Sequence, residues 1–142
     1  MTRSDRPNEV TRAFLAACYD YFLIITPVAL YVALEAIRAE ELARFFLSPE
    51  WSIATIFVSF QGRVIYRTEL ERTGRPLSGL WLNFVDLASL VVIIAASINT
   101  YMALTRDSRD VVFLRISLFI LTSASFLIFV GGAKLALSRK VK

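Results

Sequence analysis

The chain has 142 residues, of which 56% are hydrophobic and 20% charged, and its mean hydropathy is +0.59. That excess of apolar residues excludes an ordinary soluble domain, and the length suits four membrane spans with short loops rather than spans plus a separate soluble domain. A net charge of +4 would suggest nucleic acid in a soluble protein, but basic loops obeying the positive-inside rule account for it, and no nucleic-acid partner is expected.

Residues 1–12 are polar and carry Arg3, Arg6 and Arg12, which reads as a short cytoplasmic arm. The apolar stretch behind them is too long for a signal peptide and lacks a cleavage site. Leu15-Ala16-Ala17-Cys18 matches a lipobox, but the apolar run follows it instead of preceding it, so the match is read as accidental. Cys18 is the sole cysteine, which rules out an intrachain disulfide.

The first span is expected over residues 13–34. Helical spacing puts Ala13, Ala17, Asp20, Ile24, Pro27 and Tyr31 on one stripe facing protein, with Pro27 kinking the helix toward a partner. Residues 35–47 keep a helical pattern, read as an extension above the membrane that dips Phe45 and Phe46 into the interface. Ser48 as N-cap, Pro49 at the first position and Glu50 in the first turn then predict a helix start, with Trp51 as an interface anchor.

The second span, residues 50–70, changes character halfway. Residues 51–60 are apolar apart from Ser and Thr, and Gln61, Gly62, Arg63 and Arg67 follow. Ten apolar residues cannot cross a core of about 30 Å, which takes about 20, so this helix must be covered by other helices on its polar side. Thr73-Gly74 ends it and Pro76 prevents its resumption. Trp81 marks the return to the membrane. The third span, residues 80–102, carries Asp86, Ser89, Ile93, Ala96 and Thr100 on one stripe with Asn99 beside it. A tight charged turn at residues 105–110 leads to the fourth span, residues 111–137. There Arg115, Leu118, Thr122, Ser125, Phe129 and Gly132 share a face. Residues 138–142 form a basic tail.

Arginine and lysine gather in the arm, in the 63–75 region and in the tail region from Lys134 on, which places both termini in the cytoplasm, in a bacterial inner membrane. Counting along the helices from that side brings Asp20, Arg63 and Asp86 to one depth, about 10 Å in. A charge in hydrocarbon costs roughly 2.5–3.5 kcal/mol, so these three are expected to pair, as a clamp on helix register or as a polar lining for an ion or proton. At the other depth, Arg115 is expected to pair with Glu50, Asp110 or Glu35 near a helix end. Arg63 and Arg67 make no arginine ladder, which rejects a voltage sensor.

Enzyme chemistry finds no residues to use. There is no histidine, one cysteine, and no GxSxG, P-loop or GxGxxG motif, so no catalytic residue, metal or cofactor is expected. The expected fold is all-α: a polytopic membrane protein built as a four-helix transmembrane bundle, associating as a homo-oligomer through the face bearing Thr122, Ser125 and Gly132. The expected function is that of a non-catalytic membrane subunit, an anchor or sensor of the kind a stress or phage-defence system uses. It would dock a cytosolic partner through Arg67, Arg72, Arg75, Arg139 and Lys140. The alternative is an oligomeric ion channel or small transporter that uses Asp20, Arg63 and Asp86.

Overall fold

The computed structural model describes residues 5–40, 45, 47–74, 79–105 and 108–138. Four helices run through them: α1 (Asp5–Arg38), α2 (Glu50–Thr73), α3 (Gly79–Thr105) and α4 (Arg109–Ser138). No strand occurs among the described residues. Three of the helices, over Asn8–Arg38, Leu82–Thr105 and Arg109–Ser138, are long and apolar enough to cross a membrane. The fourth expected span, α2, is not one of them. Its second half carries Arg63, Arg67, Glu69, Glu71 and Arg72, and that density of charge removes the apolar run a lone span needs.

Side-chain contacts fix the register. Ser52 meets Asn99 and Arg67 meets Asp86, so α3 runs antiparallel to α2. Tyr21 donates to Ser123 (2.9 Å) and Lys134 reaches Asp20, so α1 and α4 are antiparallel. Trp51 stacks on Phe119 while Lys134 reaches Glu69, so α2 and α4 are parallel. The chain therefore goes up, down, up and down, and the start of α1 lies at the same end as the end of α4. We call this the terminal end. The opposite, loop end holds residues 39–40, 47–49, 105 and 108–109.

The bundle is a flattened rhombus. α2 and α4 form its closely packed centre, α1 leans mainly on α4, and α3 leans mainly on α2. Small residues permit this approach: Ala17, Ala54 and Ala133 are buried at the contacts, and Gly62 lies against the ring of Phe126. A Cβ on residue 62 would come within 2.7 Å of that ring, closer than van der Waals contact allows, so Phe126 holds its buried position because residue 62 has no side chain.

The outside of the bundle is unlike that of a water-soluble protein: Phe22, Leu23, Leu30, Leu90, Val91, Ile94, Ile120 and Ile128 are exposed. Inside, Ser52, Thr55, Thr73, Asn99, Arg115 and Thr122 are buried together with apolar residues such as Val58, Phe126 and Val130. A belt of large apolar side chains around an interior that holds these polar groups suits a lipid surround.

Local details differ from the expected pattern in three places. Ser48 does not cap the backbone of α2: Pro49 occupies the N-cap position, and the Ser48 hydroxyl donates to the Glu50 carboxylate. The helix expected to continue through residue 47 stops at Arg38, where Glu40 adopts φ 54° and turns the chain. Much of the remaining segment, Phe46 included, lies outside the described residues. On α1 the buried positions are Ala13, Ala17, Ile25, Val32 and Ala36, so Pro27 and Tyr31 face outward. Asp20 and Ile24 still face the bundle, and beyond Ile24 the expected stripe runs one residue, about 100° of helix rotation, away from the true one. At the other end of α2 the expected stop holds: Gly74 is left-handed (φ 58°) and its N–H closes on the Glu71 carbonyl.

Candidate functional site

The charges of α2 leave it on two sides. Arg63 and Arg67, one turn apart, both point to α3 and share the carboxylate of Asp86. Arg63 Nε lies 2.8 Å from Oδ1, and Arg67 donates to Oδ2. The Oδ1 contact is a close ion pair without hydrogen-bond alignment, and the Nε of Arg67 is buried without an acceptor. Two guanidiniums on one carboxylate leave one positive charge uncompensated within this group.

Glu69 stands well around the helix from Arg67, since two residues turn an α-helix by about 200°. It is buried toward α1 and α4, where Lys134 bridges it (3.3 Å) to Asp20 (2.9 Å). Arg72, in the following turn of α2, approaches Glu69 at 3.6 Å. Two carboxylates, one ammonium and one guanidinium balance. The two clusters thus tie the terminal half of α2 to all three other helices, α3 through Asp86, α1 through Asp20 and α4 through Lys134.

The loop half of the bundle carries a third polar group, centred on Asn99 and Arg115. The Asn99 side chain accepts from Ser52 (2.9 Å) and from Arg115 Nε (3.4 Å), and donates to the Val111 carbonyl (2.9 Å). Arg115 also donates to the Leu47 carbonyl. Asn99 is fully buried and Arg115 is 3% exposed, so these bonds close the loop end over the core. Midway, Ser59 and Ser89 join α2 to α3 hydroxyl to hydroxyl at 2.9 Å.

Between α2, α3 and α4 lies a cavity of about 250 Å³. Its walls include Gly62, Phe84, Val85, Ala88, Val92, Leu121, Phe126 and Phe129, with Arg63 at its terminal end and Thr122 farther in. The Thr122 hydroxyl is buried and has no hydrogen-bond partner.

The residues singled out from the sequence are therefore partly regrouped. Arg63 and Asp86 come together; Asp20 does not join them, because Lys134 on α4 reaches it first. Arg67, expected on a docking surface, is occupied by Asp86. Arg115 binds the Asn99 amide and the Leu47 carbonyl. Thr122 and Ser125 line the cavity, while Gly132 opens outward with nothing near its Cα hydrogens, so the three do not form one outer face. Arg72 remains exposed, and Arg75, Arg139 and Lys140 lie outside the described residues. Lys134 and Glu69 are the functional candidates the sequence reading passes over. Among the described residues no group of His, Cys, Asp and Glu could hold a metal ion.

The chain matches no family model, no curated protein and no solved structure.

Proposed function

We propose that the chain is a non-catalytic integral membrane subunit whose four helices all cross a bacterial inner membrane, with both termini in the cytoplasm. The observation that carries this reading is the pairing of α2. Arg63, Arg67 and Glu69 each meet an opposite charge on another helix, while Ile53, Phe57, Phe60 and Val64 form an exposed apolar stripe on the same helix. A helix with paired charges inward and an apolar stripe outward can sit among spans although it could not span alone.

In this role the terminal end presents the basic residues to the cytosol. Arg67 is engaged, so docking of a cytosolic protein would fall to Arg72, Arg75, Arg139 and Lys140. Self-association would use the outward side of α4 around Gly132. The competing role of an ion channel or small transporter draws less support, because the clusters lie on different sides of α2 and the cavity beside them is mostly apolar. Co-purification from mild detergent tests the choice. A soluble protein retained by the native chain and lost from the Arg72→Gln, Arg75→Gln variant is expected. Ion flux in proteoliposomes that is abolished by Asp86→Asn, with no retained partner, would reverse the assignment.

A further inference from the structure

Two features of the α3 side of the bundle fit one ligand. The first is space. α3 and α4 are joined near the loop end by Asn99 and Val111, but lower down the 250 Å³ cavity separates them. For scale, an apolar cavity of about 150 Å³ accepts benzene. Along α2 its walls run from Val58 to Tyr66, eight residues or about 12 Å of helix, so the space is elongated along the bundle axis. Its rim residues Phe84, Ala88 and Leu121 are exposed, so the cavity opens sideways to whatever surrounds the bundle.

The second feature is charge. At the terminal end of this space stand Arg63 and, one turn further on, Arg67. Asp86 neutralises only one of them. Both guanidinium side chains remain more than a third exposed, and Arg67 Nε has no acceptor. An arginine pair with a surplus positive charge is matched by a phosphate, which accepts from planar guanidinium donors.

We propose that this groove is a binding site for an anionic phospholipid of the leaflet at the terminal end. Its phosphate sits on Arg63 and Arg67, and one acyl chain fills the cavity past Gly62 and Ala88 toward Val92. The proposal rests on the reading that the helices lie in a membrane. The phosphate supplies the missing negative charge where the helix leaves the hydrocarbon, and the chain fills a space that α3 and α4 leave between them. The Thr122 hydroxyl lies deep beyond the arginines, out of reach of the headgroup.

Native mass spectrometry of the detergent-purified full chain, loaded with phosphatidylglycerol or phosphatidylcholine of identical acyl chains, tests it. The expected result is at least tenfold stronger retention of phosphatidylglycerol. Arg67→Gln should erase the preference, Ala88→Phe should abolish retention of the lipid and Ala88→Leu should weaken it, and Ile98→Ala, on the exposed loop half of α3 outside the cavity, should leave it unchanged. A gel-filtration profile matching the native chain establishes that each variant is folded. Equal retention of the two lipids, full retention by a folded Ala88→Phe variant, or loss in Ile98→Ala would overturn the proposal. So would equal thermal protection by inorganic phosphate alone, or a second copy of the chain seated in the groove. A chain that stays dispersed without detergent defeats the membrane reading itself; a chain that requires detergent but shows no headgroup preference defeats only the lipid site.

Discussion

Asp86→Ala is expected to destabilise the bundle more than loss of either arginine that contacts it. The carboxylate is the shared counter-charge of Arg63 and Arg67, and removing it leaves two guanidiniums one turn apart on the same helix, facing an apolar cavity. Breaking a fully buried pair costs about 3–5 kcal/mol; both arginines are more than a third exposed, so about 2 kcal/mol is the appropriate scale. Arg63→Ala or Arg67→Ala leaves the other arginine on Asp86 and should cost about 1 kcal/mol or less. The double arginine variant strands the carboxylate and should cost more than the two single losses added. Equilibrium unfolding of detergent-solubilised protein measures all four. Equal effects for Asp86→Ala and Arg63→Ala would mean that the three side chains do not act as a unit.

Lys134→Met should have the largest effect of any single charge removal. Lys134 is the bridge between Asp20 and Glu69, and all three side chains are at least three-quarters buried. Deleting the ammonium leaves two carboxylates facing each other across α1, α2 and α4, at a cost of about 3 kcal/mol, the lower end of the range for a broken buried pair. Adding Asp20→Asn should recover part of that loss, because one uncompensated charge is then gone. By contrast Glu71→Gln, on the exposed side of α2, should fall within about 0.5 kcal/mol of the native chain. The same unfolding measurement reads these variants. A Lys134→Met protein as stable as Glu71→Gln would remove the second cluster from the account.

The helices themselves were open to sequence reasoning because their causes are local. Apolar runs of span length mark α1, α3 and α4, Gly74 ends α2, and the oddness of Gln61-Gly62-Arg63 marks α2 as the inner helix. The Arg63–Asp86 pair was also within reach, since adjacent helices joined by a short loop bring these positions to the same depth. The partner of Asp20 was not, because it depends on which helices touch. Diagonal packing of α2 on α4 carries Lys134 inward, although its place near the basic tail assigns it by sequence to the cytoplasmic surface. The flattened cross-section follows from Gly62 admitting Phe126, a contact 64 positions away in the chain that no periodicity encodes.

The loop half of the bundle illustrates the same limit. Arg115 binds Asn99 and the Leu47 carbonyl, the latter a backbone group invisible to residue-type reasoning. The exposed stripe Ile53, Phe57, Phe60 and Val64 has helical spacing, but its meaning depends on knowing that α1 and α3 flank α2 and leave that stripe uncovered.

The central claim is that α2, too polar to span alone, crosses the membrane because its neighbours pair its charges. Cysteine accessibility at the two ends of α2 tests it directly. In a Cys18→Ala background, Ala39→Cys places a thiol at the loop end ahead of α2, and Glu71→Cys places one in its exposed last turn. With a membrane-impermeant maleimide applied to intact cells, Ala39→Cys should label from outside and Glu71→Cys only after the cells are opened. Labelling of both thiols from the same side would contradict the account, because α2 would then not cross the bilayer.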